Sequence, residues 1–186
     1  MCRLTLYKGK PMLIGDLVTN PSNSLIYQSR DAAYHPGVTD KTHRRNILVN
    51  GDGFGVCWYG ENVSKGGCCF KFVTPAWSNG NLRSIGEHVA SHLVCAHIRA
   101  ASSGHDPLHE RVAVSHENCH PFRYGRFTFM HNGGIPYFAR IKRPLQNLLH
   151  EAFFSEIKGS TDSEHIFALF LHYLYAKVGG AMGDEG

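Results

Sequence analysis

The stretch NLRSIGEHVASHLVCAHIRAAS, Asn81 to Ser102, changes its period halfway along. Leu82, Ile85, Val89 and Leu93 recur at intervals of three and four residues, the spacing that stacks side chains on one face of a helix. Leu93 to Ile98 then forms a short apolar run that closes on an arginine followed by small residues, which reads as a buried strand running out into a loop. A helix that feeds straight into a strand predicts a chain that mixes the two. Outward from this stretch, Arg3–Tyr7, Phe54–Tyr59, Cys69–Val73 and Arg126–Met130 read as further strands, most of them short. Ile135 to Phe153 reads as one helix through Ile141, Leu145, Leu148 and Leu149. Thr161-Asp162-Ser163-Glu164 has the S/T-x-x-E form of a capping box, and Ile166, Leu169, Phe170, Tyr173 and Leu174 follow at helical spacing. Asp31 to Arg45 and Ala101 to Val112 are polar, rich in Gly, Pro and His and without period, and are expected to be long functional loops.

The chain has 186 residues, 42% hydrophobic and 18% charged, the make-up of one ordinary globular domain. At this size roughly 70% of the unfolded surface can be buried, so no metal or disulfide staple is required. A formal charge of +4 is too small and scattered to predict a nucleic-acid or membrane-surface partner. The longest apolar run, Ile166 to Leu171, falls far below the roughly 18 residues of a membrane span. Met1 to Lys8 alternates polar and apolar residues, unlike a secretory signal, so the expected compartment is the cytoplasm. Six cysteines without a CxxC spacing then read as reduced thiols.

Cys2 is the first candidate for chemistry. A methionine followed by a small residue is generally removed, which would leave a thiol and a free α-amine on one residue. With a pKa of about 7.7–8.0, that amine can serve as a base beside the nucleophile it activates. A Met-Cys start by itself carries little weight. Four clusters add to it: Ala96–Ser102, where Arg99 ends a strand; Asn118–Phe122, stiffened by proline; Phe129–Gly133, where an Asn-Gly pair can turn a side-chain amide and a backbone N–H toward one oxygen; and Thr161–Glu164, with a carboxylate in the first turn of a helix. Singly, Arg99 reads equally as a buried ion-pair partner, Asn132-Gly133 as a turn and Asp162 as an anion favoured by the helix dipole. His116-x-x-Cys119-His120 and Cys95-x-His97 lack the second ligand pair of a zinc site, so no metal is expected. Gly51-x-Gly53-x-Gly55 precedes a strand, with no Lys-Ser/Thr after it, and is not a phosphate loop.

Together and in this order, MCR at the start, NGDGFGVCWY (Asn50 to Tyr59), PAW (Pro75 to Trp77), AHIRAAS, NCHPF, FMHNG and TDSEH resemble the class II glutamine amidotransferase domain of the N-terminal-nucleophile hydrolases. The resemblance spans nearly all of Met1 to Tyr175. It is nearer to the stand-alone branch that holds the bacterial YafJ-type proteins and the fungal amidotransferase-like subunit of glutathione degradation. It implies a four-layer αββα sandwich over residues 1–178, shortened at its C-terminus, with 179–186 a disordered tail. It also implies Cys2 as nucleophile, Asn132 and Gly133 as oxyanion donors, Arg99 and Asp162 as clamps on a glutamyl head group, and Ser102 and His120 as pocket-lining residues. The implied reaction is hydrolysis of the γ-glutamyl amide of glutamine, or of a compound such as glutathione, through a thioester on Cys2, with no metal or organic cofactor. A partner peptidase or acceptor subunit is implied too, and the alternative is a non-catalytic or partner-dependent subunit. Arg99 and Asp162 read only the head group, so the choice of γ-glutamyl substrate stays open.

Overall fold

A computed structural model of the chain describes residues 2–32, 49–61, 65–100 and 112–179. In chain order these form β1 (Arg3–Leu13), α1 (Gly15–Val18), α2 (Leu25–Arg30), β2 (Phe54–Trp58), β3 (Cys68–Phe72), a 3-10 turn (Ala76–Ser78), α3 (Gly80–His88), β4 (Ala90–Ile98), β5 (Phe122–Tyr124), β6 (Phe127–Phe129), α4 (Phe138–Leu148), α5 (Glu151–Phe154) and α6 (Asp162–Lys177). Both loops expected at Asp31–Arg45 and Ala101–Val112 lie almost wholly outside the described residues, as does the tail beyond Gly179. The class is α+β with antiparallel sheets. No helix among the described residues is long and apolar enough to cross a membrane.

Four strands pair antiparallel in the order β1-β4-β2-β3. Alternation along the central strands sorts side chains to two faces. Phe54 and Val56 of β2 and Val94, Ala96 and Ile98 of β4 join Ile14, Val18, Leu25, Ile26 and Leu82 in a core under α1, α2 and α3. Full burial of each large apolar side chain there contributes on the order of 1.5–3 kcal/mol. α1 and α3 meet at two glycines, where a Cβ on Gly15 would stand 2.8 Å from the Gly86 carbonyl oxygen.

The opposite face carries Cys57, Cys95, His97 and Arg99, and the β5–β6 hairpin lies against it. Tyr59 donates its hydroxyl to the Arg126 carbonyl at 2.9 Å. A Cβ on Gly55 would run into the His120 carbonyl, so the crossing of sheet and hairpin requires glycine there. Beyond the hairpin, Phe129 stacks on Phe167 of α6 with centroids 5.3 Å apart. A second core of Phe122, Leu149, Phe153, Phe167, Ala168 and Leu171 forms around that contact.

The structure departs from the sequence expectations at several places. Ala90 to Leu93 is strand, not the end of a helix. α3 stops at His88, and Ala90 and Ser91 pair instead with Leu13 and Met12 of a β1 that runs six residues past Tyr7. The Ser91 hydroxyl fixes this switch by donating to Tyr59 O at 2.8 Å. The single helix expected over Ile135–Phe153 is two, parted by an extended Leu149 and restarted by His150, whose Nδ1 accepts from Ala152 N. α6 turns Phe167, Ala168 and Leu171 inward, while Phe170 and Tyr173 of the expected stripe remain 50% and 57% exposed. That helix is apolar nearly all round, so spacing alone could not choose its inner face. Cys57 and Cys69, opposite one another on β2 and β3, form a disulfide, against the reading of all six cysteines as thiols.

Candidate active site

Cys2 reaches its position through the pairing of β1 with β4. The register Arg3↔Ile98 sets Cys2 opposite the end of β4, where Arg99 and Ala100 leave the sheet. Its sulfur accepts the Ala100 N–H at 3.3 Å, and its carbonyl accepts the Asn132 side-chain amide at 2.9 Å. Asn132 follows β6, so this contact ties the residue just before β1 to the loop after the hairpin. A carboxamide carries two N–H donors, so this bond uses one of the two that Asn132 has.

Arg99 is buried. Its Nη1 donates to the Ala113 carbonyl at 2.9 Å and its Nη2 to the Val112 carbonyl at 3.4 Å. A guanidinium has five N–H donors, so these two bonds orient the fork without exhausting it. Asp162 sits in the first turn of α6, where the Thr161 hydroxyl caps the helix by accepting from Glu164 N at 3.1 Å. The cap is half of a capping box: the Glu164 carboxylate turns away to accept from Lys158 N and Gly159 N. Asp162 Oδ2 accepts from Ile135 N at 2.6 Å and Oδ1 from Ser163 N at 2.7 Å, a geometry suited to the ionised carboxylate.

A pocket of about 100 Å³ lies between these groups, lined by Cys2, Arg99, His120, His131, Gly133, Asp162 and Ser163 among others. Five of the seven expected residues thus share one cavity, and Asn132 stands beside it on the Cys2 carbonyl. Ser102 lies outside the described residues. His120 is buried against His97, ring centroids 4.3 Å apart. Burial, and after it the neighbouring His97, hold the His120 pKa down to about 2, so its imidazole is neutral at the floor of the pocket. A larger cleft of about 500 Å³, lined by Lys71, Glu117, Phe122, Arg123 and Glu164 among others, contains none of the expected residues. Among the described residues, no group of three or more His, Cys, Asp or Glu could hold a metal ion.

Sequence reading passed over His131 and Ser163, each adjacent to a residue it singled out. His131 Nδ1 lies 2.9 Å from Ser163 Oγ, and both line the pocket. The signal was their place inside FMHNG and TDSEH, but only the fold shows that they meet.

Comparisons with known proteins identify the family. The family model for class-II glutamine amidotransferases matches residues 38–185. The chain is 44% identical over 178 residues to the protein named "Probable glutamine amidotransferase DUG3" of Saccharomyces cerevisiae, an alignment that covers 94% of this chain and 46% of the yeast protein. It is 28% identical over 134 residues to the gamma-glutamyl-hercynylcysteine sulfoxide hydrolase of Mycolicibacterium smegmatis, covering 72% of this chain and 51% of that one. The chain therefore spans about half the length of these curated relatives. A solved glutamine aminotransferase class-II domain protein from Silicibacter pomeroyi superposes with a TM-score of 0.61 at 26% identity, over 95% of this chain and 56% of that structure.

Proposed function

The chain belongs to the class II glutamine amidotransferases, and on that premise we propose that its pocket hydrolyses a γ-glutamyl amide through a thioester on Cys2. The observation that carries the reading is convergence: Cys2, Arg99, Gly133 and Asp162 come from four separate segments and line one small cavity. With Met1 removed, the α-amine of Cys2 takes the thiol proton and the thiolate attacks the γ-carbonyl carbon. The tetrahedral oxyanion is met by the second N–H of Asn132 and the backbone N–H of Gly133. One such donor typically lowers the barrier by about 2.7–4 kcal/mol. The C–N bond breaks as the protonated base returns its proton to the departing nitrogen. Water then cleaves the thioester, releasing glutamate and restoring the thiol.

Arg99 takes the substrate α-carboxylate, a planar two-pronged match. Asp162 keeps one Oδ2 lone pair for the α-ammonium after its bonds to Ile135 N, Ser163 N and the Ser163 hydroxyl. His120 lines the pocket as a neutral donor or acceptor, and the family resemblance assigns Ser102 to substrate binding. The departing group is ammonia from glutamine, or Cys-Gly from a tripeptide such as glutathione. The succession of helices, sheet, hairpin and helices supports a four-layer αββα sandwich over residues 1–178, with β5 and β6 as the strands of the second sheet among the described residues.

A second reading is a subunit that turns over only with a partner, such as a peptidase. Its support is apolar surface: Leu4 and Leu6 of the edge strand β1 are 42% and 64% exposed. They share a sheet face with His97 and Cys95, their partners in register. Intact mass spectrometry before and after treatment with the glutamine-analogue electrophile diazo-oxo-norleucine separates the readings. Loss of Met1 with an adduct on Cys2 is the expected result. A processed, folded chain that stays unlabelled defeats the stand-alone hydrolase and favours the partner-dependent subunit.

A further inference from the structure

The loop His131–Ile135 is pinned at three points. Asn132 donates to Cys2 O, Ile135 N donates to Asp162 Oδ2, and the His131 ring meets Ser163. The Ser163 hydroxyl lies 3.3 Å from Asp162 Oδ1 and donates its proton there. The same oxygen lies 2.9 Å from His131 Nδ1, so one hydroxyl joins the ring to the carboxylate. The contact with Gly133 is close: a Cβ on that residue would stand 2.8 Å from His131 Nε2 and 3.1 Å from Cε1. On its flank the ring stacks on Phe129 at 6.5 Å, and Phe129 stacks in turn on Phe167 of α6.

This imidazole therefore touches both halves of the pocket. One edge packs on the glycine whose N–H faces the developing oxyanion. The other is bonded, through one hydroxyl, to the carboxylate assigned to the α-ammonium. We infer that His131 is a positioning residue that couples Asp162 to the Asn132-Gly133 oxyanion donors through Ser163, so that head-group binding sets the geometry at the scissile carbonyl. The inference rests on the hydrolase reading above and adds to it a route of specificity. A γ-glutamyl analogue without its α-ammonium loses turnover as well as affinity, because the interaction that orders the donors is absent.

The test measures the saturable labelling of Cys2 by diazo-oxo-norleucine in the parent chain, His131→Ala, His131→Asn and Ser163→Ala, alongside the imidazole 15N resonances of His131. A displacement near 1 Å at a reacting centre can cost about 10²-fold in rate. A drop of about that size is expected in the maximal labelling rate of His131→Ala, with the half-saturating concentration little changed. His131→Asn, whose amide can take the Ser163 bond, should recover most of the loss. Ser163→Ala should slow labelling and shift the His131 Nδ1 resonance. Labelling of His131→Ala at the parental rate overturns the coupling. If the parent itself reacts at Cys2 with iodoacetamide but not with diazo-oxo-norleucine, the hydrolase reading fails. The 15N data then decide the linkage alone, and an Nδ1 signal unmoved by Ser163→Ala overturns it.

Discussion

Acidification should destabilise this protein steeply through His97 and His120. Both rings are buried, at 1% and 5% exposure, and none of their four nitrogens has a hydrogen-bond partner of good geometry. Burial holds His97 down to about 4 and His120 to about 2, against an ordinary value of 6.5. Below pH 6.5 the unfolded chain takes up a proton at each site and the folded chain does not. The stability these neutral rings confer is thus complete above 6.5 and is lost as pH falls toward the folded values. Between pH 7.5 and 5.0 each histidine costs about 2 kcal/mol, the pair about 4, a large share of a typical 5–15 kcal/mol. Urea titrations followed by the fluorescence of Trp58 and Trp77 measure this directly. With a slope of about 2 kcal/mol per molar, the midpoint should fall by about 2 M. His120→Leu should remove roughly half of the pH-dependent loss and His97→Leu/His120→Leu nearly all of it. Glu164 and His165, also shifted by burial, are present in every variant and cancel from the comparison. A double variant that loses as much as the parent would show that the two buried imidazoles are not the cause.

Thr161→Ala should lower stability by about 1 kcal/mol through loss of the cap on Glu164 N, with Thr161→Ser close to the parent in the same titration. The two ends of the pocket should separate in steady-state kinetics. Arg99→Lys, unable to grip a carboxylate with two parallel bonds, should raise KM by roughly 10–100-fold, the worth of a charged hydrogen bond of about 1.5–3 kcal/mol. Asn132→Ala should instead lower kcat by about 10²–10³-fold. Equal effects of both variants on KM alone would contradict the assigned roles.

Features encoded within a few residues of one another are legible in the amino-acid order alone. Thr161 at a helix start, the short strand within Phe54–Tyr59 and the strand that runs out just before Arg99 are local patterns, and the structure keeps each of them. The family was legible for the same reason, since its motifs are short and ordered. Tertiary structure decided what local patterns leave degenerate. Ala90 to Leu93 fits a helix as well as a strand until Leu13 and Met12 offer it a partner. α6 is apolar on nearly every side, so only contact with Phe129 and Phe153 fixes which face turns inward. Cys57 and Cys69 lie 12 residues apart and gave no spacing signal, yet the β2–β3 register sets them opposite. Proximity of Cys2 to Ala100, of His97 to His120 and of His131 to Ser163 depends on chain separations far beyond any local period. The sequence could name residues fit for the chemistry, but only the pairing of β1 with β4 and the packing of the hairpin between sheet and α6 bring them to one pocket.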